Sequence, residues 1–339
     1  MELRKTRSKF LWFGEERFKI TDYSVANLID PFNDPIQGRY CIEENSGGGI
    51  KGIMSVIAAY VSDQHKKQAW RNEVKERWGC STGAIVEACL ALGMSYKDLL
   101  DFYVYDGPIV FDERAFGMIR KGGIYSADKL EAKLKSIFGD ITMEQLYKKT
   151  GVKLYIVTYD AITRRTVIIN HDDYYGLDTS YFPIWVAVRA SMSAPYYFGA
   201  FTWNDPVTNE TRAFLDGGIT GWNCSAGLAY EHSIVNHNRD SKNIQLLSIG
   251  TGYPKPVADK GKMLKKLTGF LNIKKQLQIT MNALMESNTK FQVEKLLDYA
   301  KNEGLAFQRW DIELTKDLTQ MDETDNIDEM FDLTVENLS

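Results

Sequence analysis

Five residues, Gly79-Cys80-Ser81-Thr82-Gly83, constrain this chain more than any other stretch. They fit G-x-S-x-G, a pattern in which the serine sits on a sharp, strained turn from a strand into a helix. Glycine is needed on both sides, because a side chain at either position would block the approach of the two backbones. Downstream, Ala84 to Leu92 is a continuous helical run that ends at Gly93, a suitable cap. Upstream, Val74-Lys75-Glu76-Arg77-Trp78 is highly charged, which argues against a buried strand there. Standing alone, the motif is more often an ordinary tight turn than a catalytic elbow.

Two other stretches change its weight. Arg39 to Glu44 reads as a strand that runs into Asn45-Ser46-Gly47-Gly48-Gly49-Ile50-Lys51-Gly52, followed by an apolar helix from Ile53 to about Val61. Glycines between a strand and a helix leave backbone N–H groups free to converge on one point, reinforced by the helix N-terminus. The spacing is neither that of a phosphate-binding P-loop nor that of a dinucleotide fingerprint. Beside a serine elbow it reads as an oxyanion hole built on Gly47, Gly48, Gly49, Lys51 and Gly52. Farther on, the short apolar strand Ala213-Phe214-Leu215 delivers Asp216-Gly217-Gly218, where a carboxylate partner for the serine would sit; an isolated D-G-G is more simply an Asx turn.

Strands alternate with helices along the chain, which predicts a three-layer α/β/α fold with a mostly parallel central sheet. Strand C-terminal ends then share one rim, and Gly47–Gly52, Ser81 and Asp216 each follow a strand that leads to it. The remaining predicted elements are a helix from Ser95 to Tyr103 broken by Gly107-Pro108, a helix from Ser126, and a hairpin of Lys153–Asp160 with Arg165–Asn170. A helix over Ile184–Met192, strands at Gln245–Ile249 and Phe307–Leu314, and a helix around Phe331–Leu338 follow. Residues 1–38 read as a lead-in packed on a single domain that spans 39–339.

Composition narrows the chemistry. A net charge of −4 argues against a broad nucleic-acid surface, and no apolar run approaches the length of a membrane span. Phe10-Leu11-Trp12-Phe13 is too short for a signal-peptide core, so a cytoplasmic protein is expected, at most peripheral at the inner face of a membrane. Cys41, Cys80, Cys89 and Cys224 have no paired metal spacing and read as reduced thiols; no metal or cofactor is expected. The basic segment Lys260–Lys275 suits either anionic lipid or a solvated helix face, whereas the arm carrying Arg4, Lys5, Arg7 and Lys9 reads first as a strand or loop packed on the domain and second as a weak membrane-touching arm. Of the four histidines, His65, His171, His232 and His237, none lies in a stretch that looks like a catalytic loop, and His171 is the best of them. A serine–aspartate dyad is therefore the simpler proposal, with Ser81 as nucleophile and Asp216 as base. An aspartate near its ordinary pKa of about 3.9 is a poor base, so the site would have to desolvate it.

With these residues in view, the chain resembles the patatin-like phospholipases, serine acyl hydrolases with a Ser–Asp dyad. G-G-G-I-K-G matches the family's G-G-G-x-[RK]-G, G-C-S-T-G its elbow, and Asp216-Gly217-Gly218 its D-G-[GA]. Smaller echoes are Leu99–Tyr103 with Gly107-Pro108, Ala187–Pro195 and Leu247–Gly252, so the resemblance covers roughly residues 39–339. It implies Ser81 as nucleophile, Asp216 as base, the glycine loop as oxyanion hole, and Gly79, Gly83, Gly217 and Gly218 as supports of elbow and dyad. It further implies a phospholipid or other acyl-lipid substrate at a membrane surface, cleaved without metal. The family includes bacterial effectors switched on by a small-molecule or protein activator, which leaves a regulated membrane-damaging role open. An esterase or acyltransferase on another acyl donor, and a catalytically silent binding module, are the competing readings. The chain departs from the family at Ser46, where aspartate is usual, at Cys80, where threonine is frequent, in the charged Val74–Trp78, and at Trp222-Asn223-Cys224, which replaces N-N-P.

Overall fold

The computed structural model describes residues 2–5, 8–11, 14–17, 21–66, 69–110, 125–174, 177–255, 279–280, 283–284, 286, 288–315, 318, 322 and 324–339. Its strands are β1 (Glu2–Lys5), β2 (Ser8–Leu11), β3 (Gly14–Arg17), β4 (Thr21–Ser24), β5 (Tyr40–Asn45), β6 (Val74–Cys80), β7 (Lys153–Asp160) and β8 (Arg165–Ile169). Then come β9 (Asp173–Tyr174), β10 (Leu177–Asp178), β11 (Phe201–Asn204), β12 (Thr211–Asp216), β13 (Ile244–Ile249), β14 (Tyr253–Pro254), β15 (Ala306–Trp310) and β16 (Glu313–Leu314). The α-helices are α1 (Gly52–Lys66), α2 (Ala69–Glu73), α3 (Thr82–Leu92), α4 (Tyr96–Asp101), α5 (Gly107–Val110) and α6 (Ala127–Phe138). They continue with α7 (Met143–Thr150), α8 (Ile184–Ser191), α9 (Ala226–Val235), α10 (Thr289–Glu303) and α11 (Ile327–Asn337).

Along β5 the side chains alternate between two cores, as the pleat requires. Cys41 enters a large core with α1, α3, α4, α6, α8 and α11, whereas Ile42 enters a smaller one with α9 and α10. Val74, Leu154 and Ile156 likewise face the first, and Trp78, Tyr155 and Val157 the second. This is the expected three-layer α/β/α arrangement, with helices on both faces of one sheet. The strands β15, β13, β5, β6 and β7 run parallel, and β8, β12 and β11 join antiparallel to make eight. Val25, Leu28 and Phe32 of the lead-in are buried in the larger core. Within residues 2–24, β1 pairs with β4 and β2 with β3, each antiparallel.

Three expectations need correction. The charged stretch Val74–Trp78 belongs to β6, a central strand buried at every residue except Lys75. Its charges are internally answered: Arg77 Nη1 bonds Glu43 Oε1 at 2.8 Å and Glu87 Oε2 at 2.9 Å. Glu76 accepts from Tyr40 Oη at 3.1 Å and Trp78 Nε1 at 2.7 Å. Burial of charge is tolerated where it is paired and hydrogen-bonded. Second, Gly107-Pro108 does not break the helix after α4. The chain widens into a π-turn over Phe102–Asp106 and continues as α5, which accommodates a proline that has no N–H to give. Third, the last predicted strand divides at Asp311 into β15 and β16, and β16 leaves the main sheet to pair with β14. Lys260–Lys275 lies outside the described residues. Among the described residues, no helix is long and apolar enough to cross a membrane.

Candidate active site

The site is created by a change of partner along one edge of β7. Residues Lys153–Val157 pair with β6, ending at Cys80↔Val157. Thr158–Asp160 pair instead with β12, beginning at Asp216↔Thr158. Over Ile156–Asp160 the other edge of β7 is taken by β8. A strand has only two edges, so β12 must occupy the edge that β6 vacates. It runs antiparallel, and the C-terminal ends of β6 and β12 therefore meet nose to nose. Ser81 and Asp216 face each other across that junction. They do not reach it as two ends of a parallel rim, as the strand order suggested.

The helix α8, which precedes β12 in the chain, holds the junction. Where β6 leaves the ladder, Ser191 at the end of α8 bridges the gap: its Oγ accepts from Ser81 N–H at 2.8 Å and donates to the Val157 carbonyl at 2.6 Å. Two residues on, the Ser193 carbonyl accepts from Asp216 N–H at 3.0 Å. One short segment thus holds both Ser81 and Asp216. Neither serine was singled out from the sequence, although both lie in the A-V-R-A-S-M-S-A-P stretch that echoed the family.

Ser81 carries the strain of the turn, with φ 53° and ψ −121°. A non-glycine residue held there costs about 1–3 kcal/mol, and such strain is typical of functional positions. The flanking glycines serve close approach: a Cβ on Gly83 would lie 1.9 Å from the Asn45 carbonyl oxygen, and one on Gly79 2.5 Å from that of Gly83. A Cβ on Gly217 would meet the Val157 carbonyl at 2.4 Å. Gly218 acts through its amide, which donates to Asp216 Oδ1 at 2.8 Å.

Asp216 is fully buried, and burial pushes its carboxyl up to about 7 against the pull of the Gly218 amide and the Ser81 hydroxyl. The hydroxyl is near enough to exert that pull, yet Oδ2 has no partner at full hydrogen-bond geometry. Loose contacts of this kind are common in sites that tighten around a substrate. Cys80 Sγ lies 4.0 Å from Asp216 Oδ1.

The glycine loop arrives beside Ser81 because β5 and β6 are in register at Asn45↔Gly79, two residues before Gly47 and Ser81. A Cβ on Gly47 would lie 3.0 Å from Ser81 Cβ. The loop's amides are not equally available. Gly47 N–H donates to the Asn223 carbonyl at 3.0 Å, and Gly52 N–H turns back to the carbonyls of Gly49 and Ile50. These two therefore leave the proposed oxyanion set. Gly48 and Gly49, before and at the start of the 3₁₀ turn Gly49–Lys51, have no backbone acceptor among the described residues. The Gly47 carbonyl accepts from Asn223 Nδ2 at 3.0 Å and Thr251 Oγ1 at 2.8 Å, so Asn223 and Thr251 set the loop's tilt. The Lys51 side chain is buried in the field of Glu286 and Asp311, and burial lowers its pKa.

Two buried clusters lie under the loop. On the α3 side, the Arg77–Glu43–Glu87 cluster also takes Asn45 Nδ2 onto Glu87 at 2.6 Å and Trp70 Nε1 onto Glu43 at 2.6 Å. On the α9 side, Glu44 accepts from Ser46 Oγ, Ser248 Oγ and Ser225 N–H, and Arg309 bonds Ser46 Oγ at 2.8 Å and Asp311 at 2.7 Å. Ser46, the departure from the family, is a working member of the second cluster. His171, His232 and His237 gather at the other end of β7, around Lys153, and His171 is not beside Ser81.

A model of the patatin-like phospholipase family matches residues 46–224. That is more than half of the chain, and the chain belongs to this family. It is 30% identical over 199 residues to the uncharacterized protein YqhO of Bacillus subtilis, a match over 51% of this chain and 62% of YqhO. It is 24% identical over 207 residues to a probable lipid hydrolase, 463L, of Invertebrate iridescent virus 6, over 58% of this chain and 64% of the viral protein. An intracellular phospholipase A2 of Caenorhabditis elegans is 23% identical over 268 residues, covering 74% of this chain and 24% of the nematode protein. The chain spans less than two thirds of the length of these curated relatives.

Proposed function

We propose that the chain is a lipid acyl hydrolase of the phospholipase A type, which cleaves an acyl ester of a membrane glycerophospholipid through an acyl-Ser81 intermediate. The observation that carries this is the strained Ser81 opposite a fully buried, otherwise underbonded Asp216 whose pKa lies near 7. Family membership and relatives named as lipid hydrolase and phospholipase A2 support the substrate class.

Asp216, ionised, takes the Ser81 proton as Oγ attacks the ester carbonyl. The amides of Gly48 and Gly49 receive the oxyanion, a role in which one donor is worth about 10²–10³ in rate. Collapse expels the lysolipid alkoxide, which leaves with the proton from Asp216. Water then gives a proton to Asp216 and attacks the acyl-serine, and fatty acid departs as Ser81 regains its hydrogen. Serine and aspartate act as a unit, so removing either costs nearly the whole rate.

Lipid mass spectrometry on mixed phospholipid vesicles tests this with the wild-type chain and Ser81→Ala. Free fatty acid and lysolipid are expected with wild type only. Equal hydrolysis by Ser81→Ala overturns the mechanism, and turnover of short soluble esters without vesicle hydrolysis points to another acyl donor. If neither chain releases acid, a fluorophosphonate that fails to label Ser81 marks a silent module, whereas labelling leaves an enzyme that waits for an activator.

A further inference from the structure

The end of β7 remote from Ser81 gathers three of the four histidines with an aspartate. It lies five residues down the strand, roughly 16 Å away at about 3.3 Å per residue. Asp172 follows β8, His232 lies on α9, and His237 follows that helix. One ligating atom from each lies within 4.8 Å of the other two. We propose that Asp172, His232 and His237 form a binding site for a divalent transition-metal ion of the zinc class.

Four observations carry the proposal. The donor set is two imidazoles and a carboxylate, which suits zinc and its first-row neighbours and not calcium or magnesium. His237 presents a lone pair: Lys153 Nζ lies 3.2 Å from its Nε2, and an ammonium only donates, so the imidazole nitrogen must accept. A cation already rests on this nitrogen. Asp172 has unused capacity, because Oδ1 is buried without a partner while Oδ2 accepts from Tyr155 Oη at 3.2 Å. The shell is oriented from behind: Tyr155 Oη also lies 3.0 Å from His232 Nε2, and His171 Nε2 stands 3.6 Å from Asp172 Oδ2. A carboxylate or hydroxyl that fixes a ligating group is the usual second tier of a metal centre.

The ligand atoms need to close by about 1 Å each to reach a shell of about 2.0–2.1 Å. Lys153 is the group that must yield, since its ammonium lies 3.2 Å from His237 Nε2. Glu76 and Arg239 are the other charges acting on Lys153, one of each sign. An ion here would tie the loop after β8 to the C-terminal end of α9 through Tyr155. That ring stacks on Trp78 of β6 at 4.4 Å, three residues before Ser81. The site is independent of the proposed hydrolysis.

The test is a cobalt(II) titration of the full chain after chelator treatment, read by visible absorption, with zinc(II) as competitor. One equivalent per chain is expected, with ligand-field bands of a four- or five-coordinate nitrogen–oxygen site that zinc displaces. Asp172→Asn and His237→Ala should each weaken binding by 10-fold or more, and Lys153→Met should strengthen it by relieving competition. Absence of these bands in wild type overturns the site, as does an unchanged affinity and spectrum in Asp172→Asn. If His237→Ala does not fold, Lys153→Met still decides, because unchanged or weaker binding in that variant contradicts the proposed geometry.

Discussion

Glu43 and Glu44 are neighbours in β5, yet the pleat sends them to opposite faces of the sheet, and each meets one arginine, Arg77 buried and Arg309 partly so. On the α3 face, Arg77 is clamped between two carboxylates at 2.8 and 2.9 Å, and burial together with Glu43 drives the Glu87 pKa well up. On the α9 face, Arg309 Nη1 reaches Glu44 only at 3.5 Å, with hydroxyls of Ser46 and Ser248 interposed. The first cluster is a sealed brace between β5, β6 and α3. The second ends in Ser46, the residue before the glycine triplet, and through Asp311 it reaches the Gly252 amide at 2.8 Å. The difference teaches that two similar ion pairs serve two ends: the Arg77 cluster carries stability, and the Arg309 cluster carries the posture of the loop.

The largest effect should come from Arg77→Met, which leaves Glu43 and Glu87 buried together without a cation. Breaking such a cluster costs about 3–5 kcal/mol, read as a shift in the denaturant midpoint. Adding Glu43→Gln and Glu87→Gln should recover much of it. If Arg77→Met proves no worse than a change in the Arg309 cluster, the contrast drawn above is wrong.

Next in size is Asp216→Asn, which replaces a carboxyl fully buried outside both clusters' hydrogen bonds. From the ordinary carboxylate range up to about 7, the folded chain keeps a proton on Asp216 that the unfolded chain has released. Stability therefore falls as pH rises through that window and levels off above it. Asp216→Asn should be more stable than wild type by about 2–4 kcal/mol at pH 8 and no different near pH 4. Its turnover should be lost, while wild-type kcat/KM rises with pH through about 7. Melts at the two pH values check the first half, and a pH–rate profile the second.

The smallest change in stability should come from Ser46→Ala, which removes hydrogen bonds to Glu44 and from Arg309 and costs about 1–2 kcal/mol. Its expected signature is a loss of kcat larger than the loss of stability, with KM little changed, because the proposed oxyanion amides of Gly48 and Gly49 lie within three residues. A variant that loses stability but keeps kcat would move the second cluster into the same class as the first.

Much of this site was legible in the residues. Glycine at 83 and serine at 81 declare a close, strained strand-to-helix turn, because few other residues tolerate it. The short strand that ends at Asp216 and the loop at Gly47 were equally readable from glycine placement. The partners of β6 were not. Its charges look like exposure when read locally, and the contacts that Arg77 makes with Glu43 and Glu87 and Glu76 with Tyr40 and Trp78 make them a core. Ser191, Asn223 and Thr251 lie in stretches that echo or depart from the family, but nothing local states their task, which is to meet the backbone of another segment.

Local chemistry was enough to establish the layered α/β order, the strained serine, and the aspartate and glycine loop at strand ends, for backbone dihedrals and side-chain periodicity are set by residues close in sequence. Tertiary structure alone decided how these pieces meet. One edge of β7 changes hands between Cys80 and Asp216, two strands end nose to nose, and the carboxylate is sealed from water where its pKa rises. Pairing register and desolvation arise between segments far apart in the chain, and neither exists until the sheet has closed around them.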